Sequence, residues 1–366
     1  MTTFDPTNID LTTASPRDII CYLQLGKNEY NGHLPARISA VFVMLVVSTL
    51  GTAFPYIGKQ FPRLRIPTVV YLFARYFGSG VIVSTAFIHL KENKKGGSTD
   101  GEKKNGRLDP AYQNIGPNSC VGMTGNWAMY SWTPAIMLAS CMCIFVVDVV
   151  AQKYVADRYG LDLHTDVEGI ITGSAPSTAP ASRNILHKTD EEKALDTQKA
   201  EKVAFAQQFA AFLILEFGII WHSLFIGLNF GVAGSEWSTL YIVLMFHQGF
   251  EGLGIGARMS MIPFPAKYCN WLPWLCIAGY GVTTPISMAV GLGLRTTYNS
   301  GSYESLLIVG VFDAISAGIL VYNGLVELLA RDFLFEPQTR SNRRLTFMMV
   351  CVFFGAMLMC IVGEWA

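Results

Sequence analysis

Charge is what this chain of 366 residues has least of. Asp, Glu, Lys and Arg make up 15% of it, where a soluble domain carries about 25%. The 27 basic and 27 acidic residues cancel. A net charge of zero gives no electrostatic case for a nucleic-acid partner or for a protein held on a charged surface. With 51% of residues hydrophobic, the deficit points to lipid, and an integral membrane protein is expected. Cysteine is sparse as well. The 8 cysteines form no CxxC pair and are too scattered for a disulfide scaffold. Cys141, Cys143, Cys351 and Cys360 lie in apolar runs, where cysteine behaves as a small hydrophobe. Cys21 and Cys120 fall instead in polar segments. The N-terminal MTTFDPTNIDLTTASPRD has no basic lead into an apolar core, so no cleavable signal peptide is expected.

What the chain has in abundance is long apolar runs. A helix needs about 20 such residues to cross a bilayer. Runs of that kind lie at 37–58, 66–90, 127–152, 203–231, 238–261, 271–294, 304–330 and 344–364. The expected fold is all-α, a bundle of eight transmembrane helices, and an even number puts both termini on one side. Short connections decide which side. Those after the first, fifth and seventh spans carry Lys59, Arg63, Arg65, Arg258, Lys267, Arg331, Arg340, Arg343 and Arg344, while the opposite short connections carry only Arg295. Basic loops stay in the cytoplasm, so the termini are expected outside. There Cys21 and Cys120 share an oxidising compartment, where a disulfide between them is compatible with the sequence.

Two long connections complete the organisation. Residues 1–36 form an external N-terminal segment, and 37–152 hold three helices with an external loop at about 91–126. Residues 153–202 contain GSAPSTAPAS and then DEEKALDTQKAEK, which reads as a variable cytoplasmic loop ending in a helical lead-in to the fourth span. Residues 203–366 hold five helices and most of the intramembrane polar groups.

Those polar groups are informative because a charge at a helix centre costs about 2.5–3.5 kcal/mol on insertion scales. The spans hold His89, Asp148, Glu216, His222, Asn229, His247, Gln248, Glu251, Asp313 and Glu327, concentrated in the fourth and fifth. The uneven spread describes a bundle with a polar interior pathway. In HQGFEG, His247 and Glu251 stand four apart and share one helical face. In WHSLFIGLNFG, His222 stands beside Ser223, with Glu216 nearly two turns earlier. Two imidazoles and a carboxylate supply donors of the kind that suit Zn, Fe, Mn or Co, and no cysteine is placed to make a soft thiolate site. Gly227 and Gly231 in one helix and Gly249, Gly252, Gly254 and Gly256 in the other let backbones approach. Asp148 has two readings, a pathway group or a side chain that snorkels to the cytoplasmic surface. Asp313 reads either as a pathway group or as a paired or capping one. Pro285 is expected to bend the sixth span.

Other classes fit less well. No HExxH occurs, which argues against a zinc protease and for a protein that is not an enzyme. Every lysine lies in a loop or at a span boundary, which excludes a retinal Schiff base.

Several motifs together resemble the ZIP (Zrt/Irt-like) family of divalent-metal transporters, and within it the fungal zinc-uptake members. NEYNGHLPARISAVFVM and RYFGSGVIVSTAFIHL are similar to its first two helices, and HSLFIGLNFG and HQGFEGLGIGAR to its two signature helices. TTPISMAVGLG, SAGILVYNGLVELLARDF and the terminal GEWA resemble its sixth helix, seventh helix and usual end. The resemblance implies a ZIP-like bundle that takes up Zn²⁺, with Fe²⁺ or Mn²⁺ as further cargo, in the plasma membrane. The metal would be substrate, with no prosthetic group, and the lipid bilayer the other partner; pairing of two copies is left open. It implies a metal site of His222, Ser223, His247, Gln248 and Glu251, with Glu327 nearby and His89 on the pathway. Many members carry an aspartate one turn after the fourth-helix histidine, where this chain has Ile226, which implies one metal site rather than a pair. The loop has only His164 and His187 in place of a histidine-rich run, which puts a metal-sensing role for the loop in doubt. A non-transporting metal sensor of the same fold is the alternative reading.

Overall fold

In lipid, each backbone N–H and C=O must find its partner inside the segment, so long apolar runs become helices. The computed structural model describes residues 13–24, 30, 32–61, 66–88, 110–117, 119–159, 190–234, 236–299, 302–335 and 342–364, and among them there is no strand. The helices are α1 Pro16–Gln24, α2 Leu34–Gln60, α3 Thr68–Ile88, α4 Pro110–Ile115, α5 Trp132–Tyr159, α6 Asp190–Val232, α7 Trp237–Met261, α8 Leu272–Leu294, α9 Tyr303–Tyr322 and α10 Asn342–Glu364. A π-helix, Asn323–Phe335, continues α9 without a break. His89, His164 and His187 lie outside the described residues.

Seven of these helices (α2, α3, α5, α6, α8, α9 with its π-helical continuation, and α10) are long and apolar enough to cross a membrane. α7, at 25 residues, matches them in length and falls short only in composition. The reason is its position: α7 packs chiefly against α2 and α3, which take over much of the lipid contact and leave it free to carry polar groups. The outer helices show the converse pattern. On α2, Phe42, Val46, Leu50 and Phe54 recur every fourth residue and are all exposed, a continuous apolar stripe on the outside of the bundle. α8 stays helical through Pro285. α6 fulfils the expected lead-in, its 43 residues running unbroken from DEEKALDTQKAEK into the apolar run.

Glycines set the spacing, though not between the two helices that carry most of them. Gly227 and Gly231 face α8, where an added Cβ would strike the carbonyls of Thr284 and Met288. Gly249, Gly252 and Gly256 face α2, and Gly254 meets Gly78 of α3. The expected close approach of backbones is present, and the partners are outer helices. Each signature helix is tight against an outer neighbour, and the space between α6 and α7 is left for side chains.

Outside the bundle proper, Cys21 of α1 and Cys120 are joined by a disulfide across 99 residues of sequence. Both sulfurs are buried, and Ala111, Ile115 and Val121 form a small core beneath the bridge with Ala314 of α9.

Two outcomes follow from this packing. Gly256→Ala should destabilise the chain by about 1–3 kcal/mol, read as a fall in the melting temperature of the purified protein. Gly293→Ala, where a new Cβ meets nothing within 4 Å, should leave that temperature unchanged. Alkylation of the denatured, unreduced chain should spare Cys21 and Cys120, with both reacting after reduction; mass spectrometry of the peptides decides, and modification of either without reductant would disprove the bridge.

Candidate metal site

One turn of α7 separates His247 from Glu251, so both project from the same face, toward α6. There the ring of His222 lies 5.6 Å from that of His247, centroid to centroid, with 44° between their planes. His247 Nε2 stands 3.9 Å from Glu251 Oε2. One ligand atom from each of the three residues lies within 4.8 Å of the other two. Donors around a tetrahedral zinc ion, at about 2.1 Å from it, lie about 3.4 Å apart. The cluster is thus open by roughly an ångström relative to a closed zinc site.

Burial makes the arrangement costly. Relative exposure is 3% for His222, 4% for His247 and 0% for Glu251. Neighbouring helices hold the donors in place. Ser316 Oγ of α9 lies 3.2 Å from His222 Nδ1. Tyr280 of α8 donates to the Gln248 carbonyl at 2.9 Å and to Glu251 Oε2 at 3.4 Å, which leaves Glu251 Oε1 facing inward. That oxygen, both side-chain polar atoms of Gln248 and the Ser223 hydroxyl have no hydrogen-bond partner among the described residues. The hydroxyls of Ser48 on α2 and Thr284 on α8 are in the same condition. Each buried unsatisfied group costs about 1–3 kcal/mol. Such a concentration on the two signature helices and their neighbours is what a site for a polar guest requires. Nitrogen and oxygen donors without sulfur fit a borderline divalent ion such as zinc.

The remaining residues marked in the sequence are placed elsewhere. Glu327, on the π-helix, accepts from Arg331 at 2.8 Å through Oε1, and its carbonyl accepts from Arg258 at 3.1 Å. It stands outside the three-residue cluster. Asp148 does not snorkel. It is buried within α5, with Tyr322 donating to it at 2.6 Å and Gln152 at 2.9 Å. Glu216 is also buried, beside Cys276 of α8, about 9 Å along α6 from His222. Asp313 is buried on α9 one turn before Ser316, and its Oδ2 has no partner among the described residues.

A second charged cluster went unmarked in the sequence reading. Asp332, with 0% exposure, accepts from Arg75 of α3 at 2.5 Å and from Arg258 of α7 at 2.9 Å. Arg258 and Arg331 looked like loop cations. Arg258 instead closes the last turn of α7 and points inward, and Arg331 belongs to the π-helix. The available signal was an arginine inside an apolar run, Arg75, which demands an acidic partner at the same depth. Asp332→Asn should cost about 3–5 kcal/mol by leaving two guanidinium groups without their shared carboxylate. The readout is the melting temperature and the yield of monodisperse protein, and an unchanged value for both would show the bridge to be dispensable.

The model of the ZIP zinc transporter family matches residues 34–363. The chain is 49% identical to zinc-regulated transporter 1 of Saccharomyces cerevisiae, with 99% of this chain and 97% of that protein aligned. It is 36% identical to zinc-regulated transporter 1 of Schizosaccharomyces pombe, over 93% of this chain and 88% of that one. Zinc transporter 3 of Arabidopsis thaliana is 30% identical, over 90% and 84%. No solved structure matches the chain significantly.

Proposed function

We propose that this chain, which belongs to the ZIP family of zinc transporters, carries Zn²⁺ inward across the bilayer through the His222, His247 and Glu251 cluster. The observation that carries the reading is the convergence of three buried donors within 4.8 Å, set among buried polar atoms with no partner among the described residues. Zinc is the cargo, and a carboxylate fixed by Tyr280 exchanges with the water the ion loses. Gln248 and Ser223 offer further oxygens as it passes. Ile226 packs among Phe230, Trp237, Leu244 and Met288, an apolar setting that supports one ion at a time. The same donor set accepts Fe²⁺ and Mn²⁺, since affinity alone separates first-row ions poorly.

Direction rests on the charge of the loops, which places α1, α4 and the disulfide outside. Under that orientation Asp313 lies on the approach from outside. Glu216 lies beyond the cluster toward the cytoplasm. An uptake system serves the cell at the plasma membrane, and an external disulfide suits that location. Glu327 and Asp148 take the role of supports around the pathway, Arg331 and Tyr322 holding their carboxylates.

The test is uptake of radiolabelled zinc into metal-starved cells, at matched surface levels, for the intact chain and for His222→Ala, His247→Ala and Glu251→Ala. Accumulation by the intact chain should fall at least about tenfold in each variant, the scale of 1.4 kcal/mol or more. Equal accumulation in all four would make the cluster structural. Zinc binding by the purified chain without accumulation would turn the reading toward a sensor.

A further inference from the structure

At the foot of the bundle, between the end of α2 and the start of α3, is a cavity of about 350 Å³. Three of its walls are cationic: Lys59 from α2, Arg75 from α3 and Arg344 from α10. Among the described residues no carboxylate lines it. Lys59 donates to the Ser260 carbonyl on the opposite wall, which holds its ammonium group at the rim. Behind the wall, Arg75 and Arg258 share Asp332, so that trio retains a net positive charge. Tyr71 and Thr68 add hydroxyls. The wall is shaped around Gly58, where a Cβ would come within 2.6 Å of Ile66 Cδ1 and 2.8 Å of the Tyr71 hydroxyl oxygen.

From this geometry we infer that the cavity binds a phosphorylated polyol, its phosphate held by Lys59, Arg75 and Arg344. A planar guanidinium meets two phosphate oxygens at once, and an ammonium adds a point charge. Basic pockets between membrane helices on the cytoplasmic side suit phosphorylated headgroups, and the loop charges put this cavity on that side. Its size decides between ligand classes. Pockets for small organic ligands measure about 300–1,000 Å³, so the space exceeds what an inorganic ion needs. The exposed side chain of Met261 at the edge offers an apolar border where an acyl chain would leave the headgroup. Two sources share this chemistry, an inositol phospholipid of the inner leaflet and a soluble inositol phosphate.

The position has a consequence for transport. Arg75 is shared between the cavity and Asp332, and Asp332 holds Arg258 at the end of α7, the helix that carries His247 and Glu251. A phosphate that draws on Arg75 therefore bears on the metal-site helix. This link rests on the transport reading, and the binding does not.

The experiment uses the purified full-length chain in detergent. Three probes are compared by native mass spectrometry and thermal melting: phosphatidylinositol 4-phosphate, phosphatidylcholine and soluble inositol 1,4-bisphosphate. Retention of the phosphoinositide should exceed that of phosphatidylcholine by about tenfold. The excess should vanish in Lys59→Gln/Arg344→Gln and survive in Lys59→Arg/Arg344→Lys. Equal binding of the soluble headgroup assigns the source to the cytosol; binding of the lipid alone assigns it to the leaflet. Equal retention of both lipids with no headgroup binding overturns the site, as does undiminished binding by the neutral double variant. Zinc uptake is read separately, so loss of the metal function and loss of this site remain distinguishable.

Discussion

A carboxyl group with no access to solvent, deep in a membrane bundle, has few ways to exist: as a proton-bearing acid, beside a cation, or against a dense set of donors. Glu251 is in that position, and the bundle is arranged around it. Tyr280 supplies one hydrogen bond and His247 stands within 4 Å, which is less than a buried carboxylate needs. The helix that carries it is flanked by α2 and α3 so that its polar face never meets lipid. Glycines on α7 allow those two to press close, and the hydroxyls of Ser48 and Thr284 stand on the enclosing helices. Each feature fits the proposed reading of an anionic centre completed by a passing cation.

The middle and the C-terminal end of α7 meet the same difficulty in opposite ways. At the middle, charge is left incompletely answered by protein. Seven residues on, about 10 Å away, Arg258 meets a permanent partner in Asp332, which also answers Arg75. A buried ion pair of this kind adds little net stability, but it fixes where the helix end sits. Site and anchor are thus joined by two turns of one rigid element, with Glu327 and Arg331 alongside.

Much of this was legible in the sequence, and the exceptions are instructive. Seven of the eight expected spans follow from hydrophobic length, α7 matching them in length alone, and the meeting of His222, His247 and Glu251 follows from spacing and residue chemistry. The glycines announced close approach without naming the partner; only the packing shows that Gly256 faces Thr52 and Gly227 faces Thr284. The Asp332 cluster was missed because its members lie 257 and 74 positions apart in the chain, and two of its neighbours sit at span ends where cations are ordinary. Asp148, near a helix end, left two readings open, a pathway group or a snorkelling one. Its pairing with Tyr322 depends on which way α5 is turned, and α5, apolar nearly all round, does not say. The π-helix that brings Glu327 and Asp332 inward five residues apart has no signature in composition at all.

α6 spans 43 residues in one piece, about 65 Å of helix where about 30 Å would cross the hydrocarbon. Its first 13 residues, ahead of the apolar run that starts at 203, are a polar extension rigidly continuous with the stretch that holds His222. Whatever grips that extension applies torque at a distance from the imidazole. A tilt of a few degrees at the outer end arrives at the imidazole as a displacement of roughly an ångström, the same length by which the donors stand apart from a closed zinc shell. Under the proposed transport reading, load on that distant segment would alter the spacing of the donors.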